Sequence, residues 1–278
     1  MDIAIISSAK DIASANIKEN LINNFKFNNI NKELDNNDLY EYAINKNNNT
    51  DNKNIKLYTI NSELIFTDDL DKKIYADSFI FISKHRAQED RASLTCHAIG
   101  NFWKAEHGGK ERILCPSNPP LLKNIFVELN KNAVGSGYEA AMEATHHGPF
   151  MEKPVCFVEL GSNEGYWKDK NGGKIVANSL MKALSKDDAD CESVFVIGGS
   201  HYNHVANKAM LQSDFAAGHI CAKYNLENLD ADLIKQAMEK CRAKLVLLDW
   251  KGLGKEKRRI LEILEKNKIK YRKSEKAS

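Results

Sequence analysis

Residues 155–160 read VCFVEL, an apolar run that carries one carboxylate, Glu159, near its end. Apolar residues at consecutive positions suit a strand covered on both faces, whereas a strand with one wet face would alternate. Just upstream, EATHHGP (143–149) places two adjacent histidines ahead of a Gly-Pro stop; just downstream, GSNEGYW (161–167) supplies a turn and two aromatics. Working outward, similar runs recur as DIAIISS (2–8), SFIFIS (78–83), TCHAI (95–99), SVFVIGG (193–199) and KLVLLDW (244–250). Between them lie helical patterns at 9–22, which Ser7 or Ser8 could cap, at 120–132 opening on Pro120, and at 137–146, 173–185, 203–212, 229–242 and 255–268. Strands alternating with helices imply an α/β sandwich with a largely parallel or mixed sheet, here expected as one domain over residues 1–278.

The 278 residues, 42% of them hydrophobic, suffice for a substantial core. No segment approaches the roughly 20 consecutive apolar residues that span a bilayer, and MDIAIISSAKD has only a short apolar run with no basic residue before it. These features imply a soluble, cytoplasmic protein with no membrane partner. The six cysteines are scattered without a C-x-x-C pair, which favours reduced core thiols over a disulfide framework or a thiolate zinc cluster. Residues 23–54, rich in Asn and Lys, read as a solvated loop or insertion. From Lys251 onward, eleven Lys or Arg stand against four Glu. That segment, with its basic tail near 268–278, is either an ordinary solvated helix and tail or a phosphate-contacting stripe.

Most of the eight histidines sit at strand ends or beside glycines, where α/β folds place their sites. His85 follows SFIFIS, His97 lies in TCHAI, and His201 and His204 follow the glycine pair of IGGSHYNH. On a helix over 137–146, Glu143 would share one face with His146 and His147, so the three could ligate a metal or form a carboxylate–imidazole pair. Gly198 and Gly199 could let backbone N–H groups approach an oxyanion or phosphate. There is no G-x-S-x-G elbow, P-loop, dinucleotide fingerprint or H-E-x-x-H, which disfavours serine hydrolase, NTPase, dehydrogenase and zincin chemistry.

Taken in order, ISSAKDIASANI, FISKHRAQEDRASLTCHAIGNF, GYEAAMEATHHGPF, CFVELGSNEGYW, IGGSHY and LDWKGLGKEKRRI resemble the archaeal and plant type of D-aminoacyl-tRNA deacylase. The resemblance implies a three-layer α/β/α sandwich with a mixed sheet, of the phosphorylase/hydrolase-like kind and similar in shape to peptidyl-tRNA hydrolase. It implies a hydrolase that releases D-amino acids from mischarged tRNA, with zinc (Zn2+) as cofactor and D-aminoacyl-tRNA as partner, acting as a monomer or small homo-oligomer. Carried over by position, its motif residues are Ser83, His85, Arg86, His97, Asn101, His146, His147, Glu159, Gly198, Gly199, His201 and Tyr202. After IGGSHY the family continues with a small residue and a proline, where this chain has Asn203 and His204.

On this reading His146 or His147, with Glu159 and a zinc ion, activates the attacking water. The metal would be held among His146, His147, Glu159 and His201, while Arg86 or the 198–200 turn meets the oxyanion or the terminal phosphate. Ser83, His85, His97, Asn101, Gly198, Gly199, His201 and Tyr202 would bind substrate. Alternatives are water activation by the terminal ribose hydroxyl with the histidines binding adenosine, a tRNA-binding protein without catalysis, and a zinc hydrolase of related fold.

Overall fold

The computed structural model describes residues 1–44 and 53–274. The elements run β1 (Asp2–Ser8), α1 (Ile12–Asn24), β2 (Asn28–Leu34), β3 (Asn37–Ile44), β4 (Lys53–Ile60), β5 (Ser78–Arg86), β6 (Ser93–Ala98) and α2 (Pro119–Ala133). They continue with β7 (Glu139–Met142), β8 (Val155–Ser162), α3 (Glu164–Lys168), α4 (Lys170–Leu184), β9 (Glu192–Ile197), α5 (His204–Gln212) and β10 (Phe215–Cys221). Last come α6 (Ala231–Lys240), β11 (Leu245–Leu248), α7 (Lys257–Lys266) and β12 (Tyr271–Lys273). The α/β architecture with a mixed sheet is the one the sequence pattern implies.

An eight-stranded mixed sheet has the order β2-β3-β4-β1-β5-β8-β6-β7, and a second, four-stranded sheet has the order β10-β9-β11-β12. VCFVEL is β8, paired in parallel with β5 and antiparallel with β6, and buried along its whole length. Its alternate residues separate the two faces of the sheet. Cys156, Val158 and Leu160 join Ile80, Ile82, Leu94 and Cys96 in the core beneath α1, α2 and α4. Val155 and Phe157 join Phe79, Phe81, Ala4 and Ile6 on the other face, covered by residues from irregular segments such as Leu64, Leu70, Ile99, Cys115 and Met151. Helices therefore load one face of the large sheet, and the opposite face is roofed by turns.

Three expectations are corrected. Residues 137–146 are not helical: Glu139–Met142 pairs with β6 as an edge strand, and the chain runs on without regular structure through the two histidines. Ala and Glu favour a helix locally, but the open edge of β6 supplies backbone partners that override a weak propensity. The cap of α1 is Asp11, whose side chain accepts from Ser14 N at 2.9 Å, and not Ser7 or Ser8. The stretch 23–54 is not simply a loop, because β2 and β3 form an antiparallel pair continued by β4, and Leu39 is buried beneath it. Residues 45–52, with the densest Asn tract, and 275–278, at the end of the basic tail, lie outside the described residues.

Phe126 is fully buried on α2 within the helical face of the core. Phe126→Ala is expected to lower the unfolding free energy by about 3–5 kcal/mol, read from the urea midpoint at unchanged slope.

Candidate active site

Strand register gathers the polar residues. Ser83 on β5 and Thr95 on β6 both pair with Glu159, and Phe81 and His97 both pair with Phe157. Residues directly opposite in a sheet share a face. Hence Ser83, Thr95, His97 and Glu159, together with His85 two residues beyond Ser83, project from the face without helices. The segment after β7 completes the group. Glu143 N donates to Cys96 O and Gly100 N to His147 O, stitching residues 143–147 to the end of β6. On its other side Ala144 N donates to His201 O and Thr145 N to Ile220 O, which ties the same segment to the small sheet.

The turn leading into His201 depends on glycine. Gly198 and Gly199 have φ of 102° and 86°, and a Cβ on Gly199 would lie 2.9 Å from Asp249 Oδ2. Such backbone is open to glycine and strained for other residues. Gly198 N–H donates to Cys221 O, so that group is committed within the fold and is not an oxyanion donor. Asn203 caps α5 by accepting from Ala206 N and donates to Gly198 O.

At the centre stands Glu143, with no exposed side-chain surface. Its Oε2 lies 3.6 Å from His201 Nε2, 3.8 Å from His146 Nε2 and 3.9 Å from His97 Nε2. Neither carboxylate oxygen receives a hydrogen bond, and nor does His97 Nε2. The reason is visible at the far side of each ring. Nδ1 of His97, His146 and His147 bonds to the backbone carbonyl of Ala98, Ala144 and Gly148, at 3.1, 2.7 and 2.6 Å. A carbonyl only accepts, so each Nδ1 carries a proton, and where the ring is neutral Nε2 is a lone pair. His201 Nδ1 is held by the Tyr224 hydroxyl at 3.0 Å. The His146 Nε2 thus faces a carboxylate oxygen 3.8 Å away with no hydrogen bond between them, an arrangement that a cation would complete.

Three overlapping triads, His97–His146–His147, Glu143–His146–His201 and His85–Glu143–Glu159, each hold ligand-type atoms within 4.8 Å of one another. Ligand atoms around a tetrahedral zinc with bonds of about 2 Å stand about 3.3 Å apart. The separations around Glu143 Oε2 are a few tenths of an ångström longer, within reach of contraction onto an ion.

Electrostatics divides the histidines into two kinds. Burial drives the pKa of His146 well below 6.5 and that of His147 down to about 3, with His97 adding to both shifts, so these rings are neutral at physiological pH. Burial also opposes charge on His85, but Glu143 and Glu159 outweigh it and push its pKa up to about 12. Its Nδ1–H points to Glu159 Oε2 at 3.3 Å, with Glu143 Oε1 at 3.0 Å off the bond direction. Its Nε2 meets the Tyr202 hydroxyl at 2.6 Å. Since an imidazolium donates from both nitrogens, the Tyr202 oxygen accepts and its own proton is left to donate elsewhere. Burial would raise the Glu143 carboxyl, but His201 and His85 hold it well below the usual range.

The cluster floors a cleft of about 350 Å3, whose wall includes His85, His146, His147, Glu159 and His201. Ser83 lines it and donates to Asp11 Oδ2 at 3.3 Å. Lys10, Lys84 and Arg86 also belong to the wall, and Lys84 and Arg86 lie over Trp167, whose Nε1 donates to His85 O. Asn101 instead braces a loop by donating to Gly108 O and Lys110 O. His107, which the sequence reading did not single out, lines the cleft, and its backbone carbonyl accepts from Gly148 N. Its beside-glycine position, EHGGK, was the available signal. Glu143 had a signal too, its spacing from His146, although the helix invoked for that spacing does not form.

A mixed-sheet α/β chain with imidazoles and carboxylates clustered at a cleft, in groups that could hold a metal ion, has the makings of a hydrolase. The sequence profile of the D-aminoacyl-tRNA deacylase family matches residues 72–272. The chain is 33% identical over 269 residues to the D-aminoacyl-tRNA deacylase of Pyrococcus furiosus, covering 94% of this chain and 95% of that one. It is 36% identical over 274 residues to that of Methanosarcina acetivorans, covering 95% and 89%. The crystal structure of a conserved protein of unknown function, AF0625, superposes with a TM-score of 0.86 at 30% identity, over 99% of this chain and 95% of that one. The chain belongs to the D-aminoacyl-tRNA deacylase family.

His219, outside the cleft, bonds to Thr145 Oγ1 and Cys115 O, and burial lowers its pKa from 6.5 to about 4. Between those values the unfolded chain binds more protons than the folded one. Its contribution to unfolding free energy therefore falls as pH drops from about 6.5 toward 4, and His219→Gln is expected to flatten that part of a stability–pH curve measured by urea unfolding.

Proposed function

We infer that the chain hydrolyses the ester bond of D-aminoacyl-tRNA at the cleft above Glu143, releasing free tRNA and the D-amino acid. Family membership supports the reaction, and the observation that carries its location is the buried Glu143 carboxylate without a hydrogen-bond donor, ringed by Nε2 of His97, His146 and His201. tRNA as substrate makes the cytoplasm its place of action.

Glu143, His146 and His201, with His97 alongside, are the residues that would hold a zinc ion. This set differs from the His146, His147, Glu159 and His201 expected from sequence in taking Glu143 as the carboxylate; Glu159 Oε2 lies 3.3 Å from His85 Nδ1 and 3.9 Å from His97 Nε2. When bound, the ion would lower the pKa of a water and polarise the ester carbonyl. The chain's own groups do the rest. His147, neutral and with Nε2 unprotonated, relays a proton from the attacking water to the ribose oxygen that leaves as the ester C–O bond breaks, and its lowered pKa makes it ready to give that proton up. Tyr202, its oxygen engaged by the His85 imidazolium, donates its hydroxyl proton toward the carbonyl oxygen as charge develops there. Lys10, Lys84 and Arg86 at the cleft wall meet the phosphate next to the terminal adenosine. Glu159 keeps His85 charged.

Two measurements test this. Glu143→Gln is expected to weaken zinc binding by at least about 100-fold, since even a ligand's supporting partner is worth 10–100-fold, and to abolish D-tyrosyl-tRNA hydrolysis. Retention of stoichiometric zinc and full activity would remove Glu143 from the centre. Tyr202→Phe is expected to lower kcat by roughly 100-fold or more with KM little changed, as for loss of one oxyanion donor. A rise in KM alone would make Tyr202 a binding residue.

A further inference from the structure

The small sheet carries a second concavity, outside the cleft, of about 660 Å3. It lies along α5 and the ends of β11 and β12, and its lining includes Phe215, Trp250, Lys208, Lys251, Arg272 and Lys273. Trp250 gathers two ammonium groups, Lys273 Nζ at 3.8 Å and Lys257 Nζ at 4.6 Å from its ring centroid, and Arg272 lies over Phe215 at 5.4 Å.

Like charges drawn to one ring repel each other unless an anion sits between them. Elsewhere on α7 the chain neutralises its cations, pairing Arg258 with Glu262 and Arg259 with Glu256. Lys251, Lys257, Arg272 and Lys273 have no carboxylate partner among the described residues. The lining contains one carboxylate, Asp249, and its Oδ1 accepts from Gly252 N. An aromatic floor edged by unpaired cations is the chemistry that tracks a polynucleotide: phosphates on the lysines and bases against the apolar surface.

Its place relative to the cleft fits one occupant. His201 faces Glu143, and His204, three residues on, lines the groove. Three residues span at most about 11 Å. β9, which leads to His201, and β11, which leads to Trp250, are adjacent parallel strands, so both lead out of the same edge of the sheet. We propose that this groove seats the phosphate backbone of the substrate tRNA next to its aminoacylated end. The proposal rests on the deacylase reading for the identity of the RNA, and it assigns the basic C-terminal segment a binding role that its composition left open.

The test measures binding of uncharged tRNA, which has no ester, to the full-length zinc-loaded protein between 0.05 and 0.3 M salt, choices made within the range where counterion release is steep. Lys257→Ala/Lys273→Ala is expected to make the slope of log K against log salt shallower by about 1.4–1.8, and to weaken binding on the order of 10- to 100-fold at about 0.1 M salt. KM for D-tyrosyl-tRNA should rise in parallel while kcat holds. Should that double variant melt early, Lys251→Ala/Arg272→Ala, at two exposed positions, gives the same reading. Unchanged slope and affinity in folded variants would overturn the proposal, as would groove-dependent binding of phosphatidylserine vesicles with tRNA binding unaltered. Failure of the wild-type protein to hydrolyse D-tyrosyl-tRNA would instead remove the deacylase reading, and the uncharged-tRNA slopes would still decide the groove.

Discussion

The cleft is arranged around one buried carboxylate whose oxygens lack a hydrogen-bond donor. Glu143 is fully enclosed, both of its oxygens lack a hydrogen bond, and the groups nearest Oε2 are ring nitrogens. A buried charge left so would cost several kcal/mol. What offsets it is the His85 imidazolium at 3.0 Å on one side and, on the other, room among ring nitrogens for an ion. The fold supports this constraint at every level, from the Nδ1 anchors of the rings to the two-sided stitching of residues 143–147.

The large sheet explains why the site faces outward. Its helices are spent on one face, where Ile80, Val158, Leu160 and their neighbours are sealed. The other face is closed by turns, and turns leave a gap at the strand ends where Ser83, His85, His97 and Glu159 emerge. The small sheet adds His201 and Tyr202 from its own strand end. The cleft is a seam between two sheets, and a large, charged substrate can reach it without passing a helical layer.

Much of this was legible in sequence, and the failures have physical causes. Runs such as VCFVEL, SFIFIS and SVFVIGG announce buried strands because burial on both faces leaves no alternation to misread. The histidines were findable because they cluster at the ends of those runs. YEAAM misled because its local preference is helical while an open strand edge decided its fate. The edge-strand pairing sets Glu143 beside His97, a neighbour that its spacing from His146 could not show. Asn101 was assigned to substrate from motif position, and Gly198 also from the freedom of a glycine pair; their bonds to Gly108 and Cys221 are visible only when distant backbone is brought near. The second sheet was not anticipated, because alternating strands and helices do not say where one sheet stops and another starts.

The anchors of the three carbonyl-bound histidines carry a consequence for how this site can drift through mutation. In many metal sites the imidazole is oriented by a side chain, and a substitution at that second position loosens the ligand. Here His97, His146 and His147 are each fixed by a main-chain oxygen no more than two residues away. No substitution deletes a carbonyl. The tautomers are therefore protected by the chain's covalent structure, and the surrounding side chains are free to vary as long as the backbone path of residues 97–98 and 144–148 survives.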